Sequence, residues 1–383
     1  MKKEKHLKKI ISICIFIIVV QGVFLFYSFF FQSKESIYFD GINAIRKNDN
    51  YYFAVGSNND NDNHYEKAKV SVYDEKRDKL FEKLYNVGFN SAYFGACIED
   101  NGLIAVGSYE KTKKDHNALV RRGLIVRYDY DGSIVFSSEF KLLDNTKFTN
   151  VISVEDGYYV IGQSIYKSTD FGNEQGGGIL VKYDKKGNVD WYKSLGSSKE
   201  GIFNDFYLSD DFIYVVGQLN DNVGVLCKYK LDGELIYQKE FDNNNFNGVY
   251  LVDDHLYICG SSDERALLLK MSLEGDIITS SYYDKVSNAK FNRIIYDDSL
   301  IVIGSSFNKN YDGIIVKYGM DLEELSAVTY GDDKNDYLTD IIYDNGNYLV
   351  AGYSVYEDKN YLSKFVRYSE ALKVLGVEKW KYV

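Results

Sequence analysis

GGILVKYDKKGNVDWYKSLG (177–196) and FYLSDDFIYVVGQ (206–218) decide the fold. The first stretch holds two apolar runs joined by a turn containing Gly187-Asn188. The second holds two more, joined by Ser209-Asp210-Asp211, and its last run ends at Gly217. Asp, Asn and Gly at such joints supply the positive φ of tight hairpins. The reading is of four short strands that run up and down, two closing one unit and two opening the next.

Working outward, the pattern recurs along the chain. An apolar run ending in glycine appears at Gly56, Gly107, Gly162, Gly217, Gly260, Gly304 and Gly352, with spacings of 51, 55, 55, 43, 44 and 48. A further run follows each, from VSVYD (70–74) and IVRYD (125–129) to FVRYS (365–369), and then an outer run, the last being KVLGVEKW (373–380). Each unit opens with its own run, from INAIRK (42–47) to YLTDIIYD (337–344). Four-stranded antiparallel units of this length are propeller blades. The expectation is an all-β, seven-bladed β-propeller over 41–383, preceded by one N-terminal transmembrane helix. Blades must stack to bury both faces, which accounts for 36 Tyr and 23 Phe without any ligand. Because KVLGVEKW fills the outer position of blade 7, simple closure is expected rather than strand exchange with residues 36–40.

The 383 residues are 45% apolar and 26% charged, a globular balance that excludes intrinsic disorder. Residues 1–9, MKKEKHLKK, form a basic tail of five lysines and one glutamate. Residues 10–31 carry no charge and would span about 33 Å as a helix, roughly one hydrocarbon core. The flanking lysines put the tail in the cytoplasm and the propeller outside. The stretch is too long for a cleaved signal peptide and ends in Phe29-Phe30-Phe31-Gln32, a poor cleavage site. Lipidation at Cys14 is rejected because no apolar stretch precedes it. A short linker, 32–40, should keep the domain close to the bilayer. Without the tail the remainder of the chain stands at −15, against −11 for the whole, which argues against nucleic-acid binding.

The unit 177–196, continued by 206–218, resembles the repeat of bacterial cell-surface and lipoprotein seven-bladed β-propellers. The resemblance covers about 40–383, with blade 3 and its Trp191 the best match. It implies this architecture and a surface location rather than a reaction. The chain departs from the pattern in lacking a lipobox.

Catalytic signatures are sparse. His64, His116 and His255 fall in loops of separate blades, and no metal spacing is present. The Asn58–His64 run fails the calcium-loop pattern at its sixth and twelfth positions. Gly176-Gly177-Gly178 lacks the Lys-Ser/Thr of a phosphate loop. Cys97, Cys227 and Cys259 sit in apolar runs and read as buried free thiols. Arg127, Lys182, Lys228, Lys270, Lys317 and Arg367 recur at one position of six blades. A catalytic role does not repeat six times, so they should pack between blades and pair with turn carboxylates. No cofactor is expected.

One asymmetry points to function. The loops between the second and third strands are long in blades 1–3 (58–69, 108–123 and 163–178) and short in blades 4 and 5. Long loops are often functional. They hold Tyr65, Tyr109, His116, Tyr166 and Phe171 as candidate contacts. The leading expectation is a binding or scaffold module for an envelope protein or glycan. The alternative is an enzyme acting on envelope polysaccharide through scattered carboxylates near the axis. A transmembrane sensor is weaker, since nine cytoplasmic residues offer little to signal with.

Overall fold

A computed structural model of the chain describes residues 40–59, 65–112, 119–167, 174–195, 201–219, 222–356 and 361–378. The expected membrane segment, 10–31, lies outside them. Among the described residues no helix is long and apolar enough to cross a membrane. Every strand falls in one of seven four-stranded antiparallel sheets whose strands follow chain order. The blades cover 40–85, 89–140, 146–194, 201–242, 244–283, 287–330 and 335–378. Each inner strand packs beside the inner strand of the next blade, and that of blade 1 beside that of blade 7. The ring closes without strand exchange, with Val374–Glu378 as the outer strand of blade 7.

The core is seven separate clusters, one per blade interface. The cluster between blades 7 and 1 is the smallest, with eight buried residues including Ile45, Tyr52 and Phe365. Between blades 5 and 6 the count is 14. This seam also gathers polar contacts, described below.

The recurring glycine has a steric cause. In every blade the inner strand bulges opposite it, and a Cβ on Gly56, or on any of its six counterparts, would overlap an inner-strand carbonyl. The bulged residues are Asn43, Phe94, Thr149, Asn204, Asn247, Asn292 and Thr339. All but Phe94 donate a side-chain hydrogen bond to an inner-strand carbonyl of the next blade, at 2.6–3.0 Å. Thr339 closes the circle onto the Ile42 carbonyl at 2.8 Å. At the exceptional interface the Lys147 ammonium lies 4.0 Å from the Phe94 ring centre instead.

A second repeated contact lies at the periphery. Phe81, Phe136, Trp191 and Tyr237 occupy one register position of the outer strands of blades 1–4. Each packs against a positive-φ glycine in the next blade's outer turn: Gly132, Gly187, Gly233 and Gly275. Blades 5–7 carry Thr279, Ser326 and Gly376 at that position. The matching turn residues are then Leu322, Leu372 and Arg77, also at positive φ. Where the outer strand loses bulk, the turn supplies it, and Leu322 and Leu372 are buried.

Candidate functional site

Blades 2 and 3 depart from the others on the loop face. Their second and third strands are 11 residues long, against eight in blades 1, 4, 5 and 6. The long loops expected from the sequence are therefore partly strand. Pairing continues through Tyr109↔Arg122 to Thr112↔Leu119 in blade 2, and through Gln163↔Gly178 to Lys167↔Glu174 in blade 3. Two hairpins thus project from neighbouring blades. Ion pairs brace the first: Arg121 with Glu110 at 3.2 Å, Arg122 with Asp144 at 2.7 Å, and Lys111 with Glu139.

The five candidate contacts fall in different settings. Tyr65 is 48% exposed, and its ring meets that of Phe89 at a tilt, with centres 5.0 Å apart. Tyr109 is in a strand, not a loop, and is 6% exposed within the core between blades 1 and 2. Its ring lies against Gly88, where positive φ and absent Cβ leave it room. It is a core residue, and a partner has no access to its face. Tyr166 lies near the end of a blade 3 strand. His116 and Phe171 lie outside the described residues. Leu119, which the sequence did not single out, is 60% exposed on the blade 2 hairpin.

The second feature is the central channel, where a cavity of about 390 Å³ is lined by inner-strand residues. A buried polar chain crosses it. Arg46 (blade 1) pairs with Asp340 (blade 7) at 2.5 Å and donates to the Ala96 carbonyl of blade 2 at 2.7 Å. Arg293 (blade 6) lies 3.7 Å from Asp340 and 3.0 Å from Asp205 of blade 4. Asn150 of blade 3 donates to Asp205 at 2.7 Å. The two carboxylates are twins. Asp205 accepts from the Val249 amide and Asp340 from the Ile45 amide, each in the next blade. Two guanidiniums meet two carboxylates, so the chain is neutral and both acids are engaged. Beyond it lie Tyr207, Tyr250 and Tyr296, with ring centres 5.3 and 6.3 Å apart.

The seam between blades 7 and 1 gathers further polar contacts. Lys47 pairs with Asp344 at 2.7 Å, and the Tyr52 hydroxyl donates to the same carboxylate at 2.7 Å. The Ser363 hydroxyl donates to the Asp40 carbonyl at 2.9 Å.

The repeated cations divide by partner. Arg127 pairs with Glu99 at 2.8 Å, Lys270 with Asp321 at 3.1 Å, and Lys182 with Asp156. Lys228 and Lys317 instead donate to main-chain carbonyls of the next blade, each at 3.5 Å. Glu99 also takes hydrogen bonds from Lys185 and Ser153. Burial alone would push its carboxyl up, but the bonds from Lys185, Arg127 and Ser153 outweigh it and hold the carboxyl below its ordinary value. The three described cysteines are free thiols. Burial pushes Cys97 and Cys227 up to about 12, which keeps them protonated and unreactive. Among the described residues no cluster of His, Cys, Asp and Glu is arranged to hold a metal ion.

Neither a family model nor a curated protein matches the chain. Solved structures do match. One is a putative 6-phosphogluconolactonase from Bacteroides fragilis NCTC 9343, with TM-score 0.56 and 10% identity over 86% of this chain and 94% of that one. Another is a putative 6-phosphogluconolactonase from Bacteroides uniformis ATCC 8492, with TM-score 0.52 and 8% identity over 82% and 92%. A third is Kluyveromyces lactis Hsv2p, with TM-score 0.50 and 8% identity over 90% and 100%. At these identities the likeness shows the fold alone.

Proposed function

We propose that the chain is a membrane-anchored binding module whose propeller stands outside the cell membrane and captures an envelope protein or glycan. The observation that carries this reading is the pair of neighbouring hairpins projecting from blades 2 and 3. A ring of otherwise similar blades needs no such projections, and long surface elements on a rigid scaffold commonly carry function. Tyr65, Phe89 and Leu119 add exposed apolar surface on the same face. Exposed apolar groups among charged ones suit a recognition surface. The engagement of Asp205 and Asp340 by Arg293 and Arg46 speaks for binding over a polysaccharide-cleaving centre at the axis. The uncharged 10–31 stretch would be the anchor, and the resemblance of the repeat to bacterial cell-surface propellers agrees with that placement.

The test is photo-crosslinking of the full chain in intact membranes. One probe replaces Leu119 on the hairpin. The other replaces Asp254, an exposed turn residue on the opposite face. The expected result is a discrete adduct from position 119 alone, its mass identifying a protein or a glycan. Equal labelling from both positions, or none from either, refutes the site.

A further inference from the structure

The turn face, opposite the hairpins, carries a cleft of about 1030 Å³ between blades 3 and 4. We infer that this cleft binds an organic cation, an alkylammonium or guanidinium group, on an aromatic floor under an acidic rim.

Trp191 and Tyr159 line the floor, with ring centres 6.0 Å apart. Aromatic faces attract cations, and indole does so most strongly. The cleft already does this for one of its own groups, since the Lys182 ammonium lies 4.4 Å from the Tyr159 ring centre. That lysine is consumed, because it pairs with Asp156 from the turn between the first two strands of blade 3.

Four further carboxylates line the cleft: Glu155, Asp190, Asp210 and Asp232. Asp232 caps its own turn, accepting from the Glu234 amide at 2.9 Å. Glu155, Asp190 and Asp210 have no ion-pair partner among the described residues. With Lys182 neutralised by Asp156, Glu155, Asp190 and Asp210 still outnumber the one other nearby ammonium, that of Lys193, 5.9 Å from the Trp191 ring centre, so the concavity stays net negative beside an aromatic surface. An anion is repelled there. A neutral ligand gains the aromatic contact but leaves the acids unused. A cation with a planar or methylene body uses both. Leu208 and Leu231 supply apolar wall for such a body. The indole N–H of Trp191 has no acceptor among the described residues, so it too is open to a bound group.

The chain has two tryptophans, so Trp380→Phe leaves Trp191 as the sole indole reporter in the full-length protein. The probes are agmatine, the tripeptide Gly-Arg-Gly, and its uncharged isostere Gly-citrulline-Gly. The expected result is saturable quenching of Trp191 by the charged probes and none by citrulline. Response to agmatine alone assigns a small organic cation, and response to the tripeptide assigns an arginine of a protein partner. Asp190→Asn with Asp210→Asn should weaken the responding probe about tenfold, at a few-fold per exposed pair, and leave the melting temperature unchanged. Equal quenching by citrulline, or unchanged affinity in the double variant, overturns the assignment.

Discussion

Asp340→Ala should open the ring at one place. Asp340 is 4% exposed and serves three partners at once. It accepts from the Ile45 amide at 2.9 Å, pairs with Arg46 at 2.5 Å and faces Arg293 at 3.7 Å. Removing its carboxylate strands the Ile45 amide in a buried strand, at about 1–2 kcal/mol. Arg46 keeps the Ala96 and Ile45 carbonyls and is 25% exposed, so its share is below about 1 kcal/mol. Arg293 is 14% exposed and keeps only Asp205 as a charged partner, so losing half its compensation costs about 1–2 kcal/mol. The total is about 2–5 kcal/mol. It should fall where the ring is weakest, at the interface with the smallest apolar cluster and no exchanged strand. Urea unfolding reads the total. Amide exchange of the inner strand of blade 1, Asp40–Lys47, reads the location. Asp205→Ala, the same chemistry at the interface of blades 4 and 5, is the control. It should lower stability without selectively exposing 40–47. A loss under about 1 kcal/mol, or exchange rising equally everywhere, would falsify the seam argument.

Three other outcomes follow from the same contacts. Gly233→Leu and Trp191→Ser should each destabilise by about 2–3 kcal/mol, from overpacking with positive-φ strain and from lost burial respectively. Together they should recover at least half of the summed loss in denaturant midpoints, because the pair then copies Ser326 with Leu372. Glu99 has its carboxyl held below the ordinary value, so its contribution is full above the unfolded-state value of about 4.3 and disappears as pH falls through the folded one. Glu99→Gln should therefore flatten the acid limb of melting temperature against pH below about 4.3. Tyr109→Ala should lower stability by about 3 kcal/mol in chemical denaturation, as a core truncation does; an unchanged midpoint would return Tyr109 to the surface.

Much of this was legible in the sequence because blades report themselves locally. A strand ending in glycine, an Asp/Asn/Gly hairpin and a second apolar run lie within about 30 residues of one another, and repetition averages out the noise. The closure was legible too, since KVLGVEKW has the apolar pattern of an outer strand. What escaped depends on distance or on polar pairing. The extended hairpins read as loops because Glu110, Lys111, Arg121 and Arg122 break the apolar alternation, although they pair across strands and with neighbouring acids. Tyr109 read as a surface aromatic because nothing in its own strand shows that Gly88 makes a slot for its ring. The channel network joins residues 294 positions apart. Its trace was present all the same. In FND (203–205), FNR (291–293) and LTD (338–340) a polar residue stands two places after an apolar one, inside inner strands.

The peripheral contacts add what repetition alone withholds. Seven near-identical blades stack in any order unless their interfaces differ. Blades 1–4 present an aromatic to a glycine, and blades 5–7 present a small residue to a bulky turn side chain. Two of the seven blades therefore have unlike neighbours. Blade 5 receives an aromatic on Gly275 and offers Thr279, and blade 1 offers Phe81 and has Arg77 in its turn. A blade moved between sectors would set Leu322 or Leu372 against an aromatic, or a glycine against a void. The cost falls on the misassembled ring rather than the native one. The same division places the large aromatics, and hence the Trp191 cleft, in the half of the ring that also carries the long hairpins. Blades 2 and 3 thus differ from blades 5–7 on both faces.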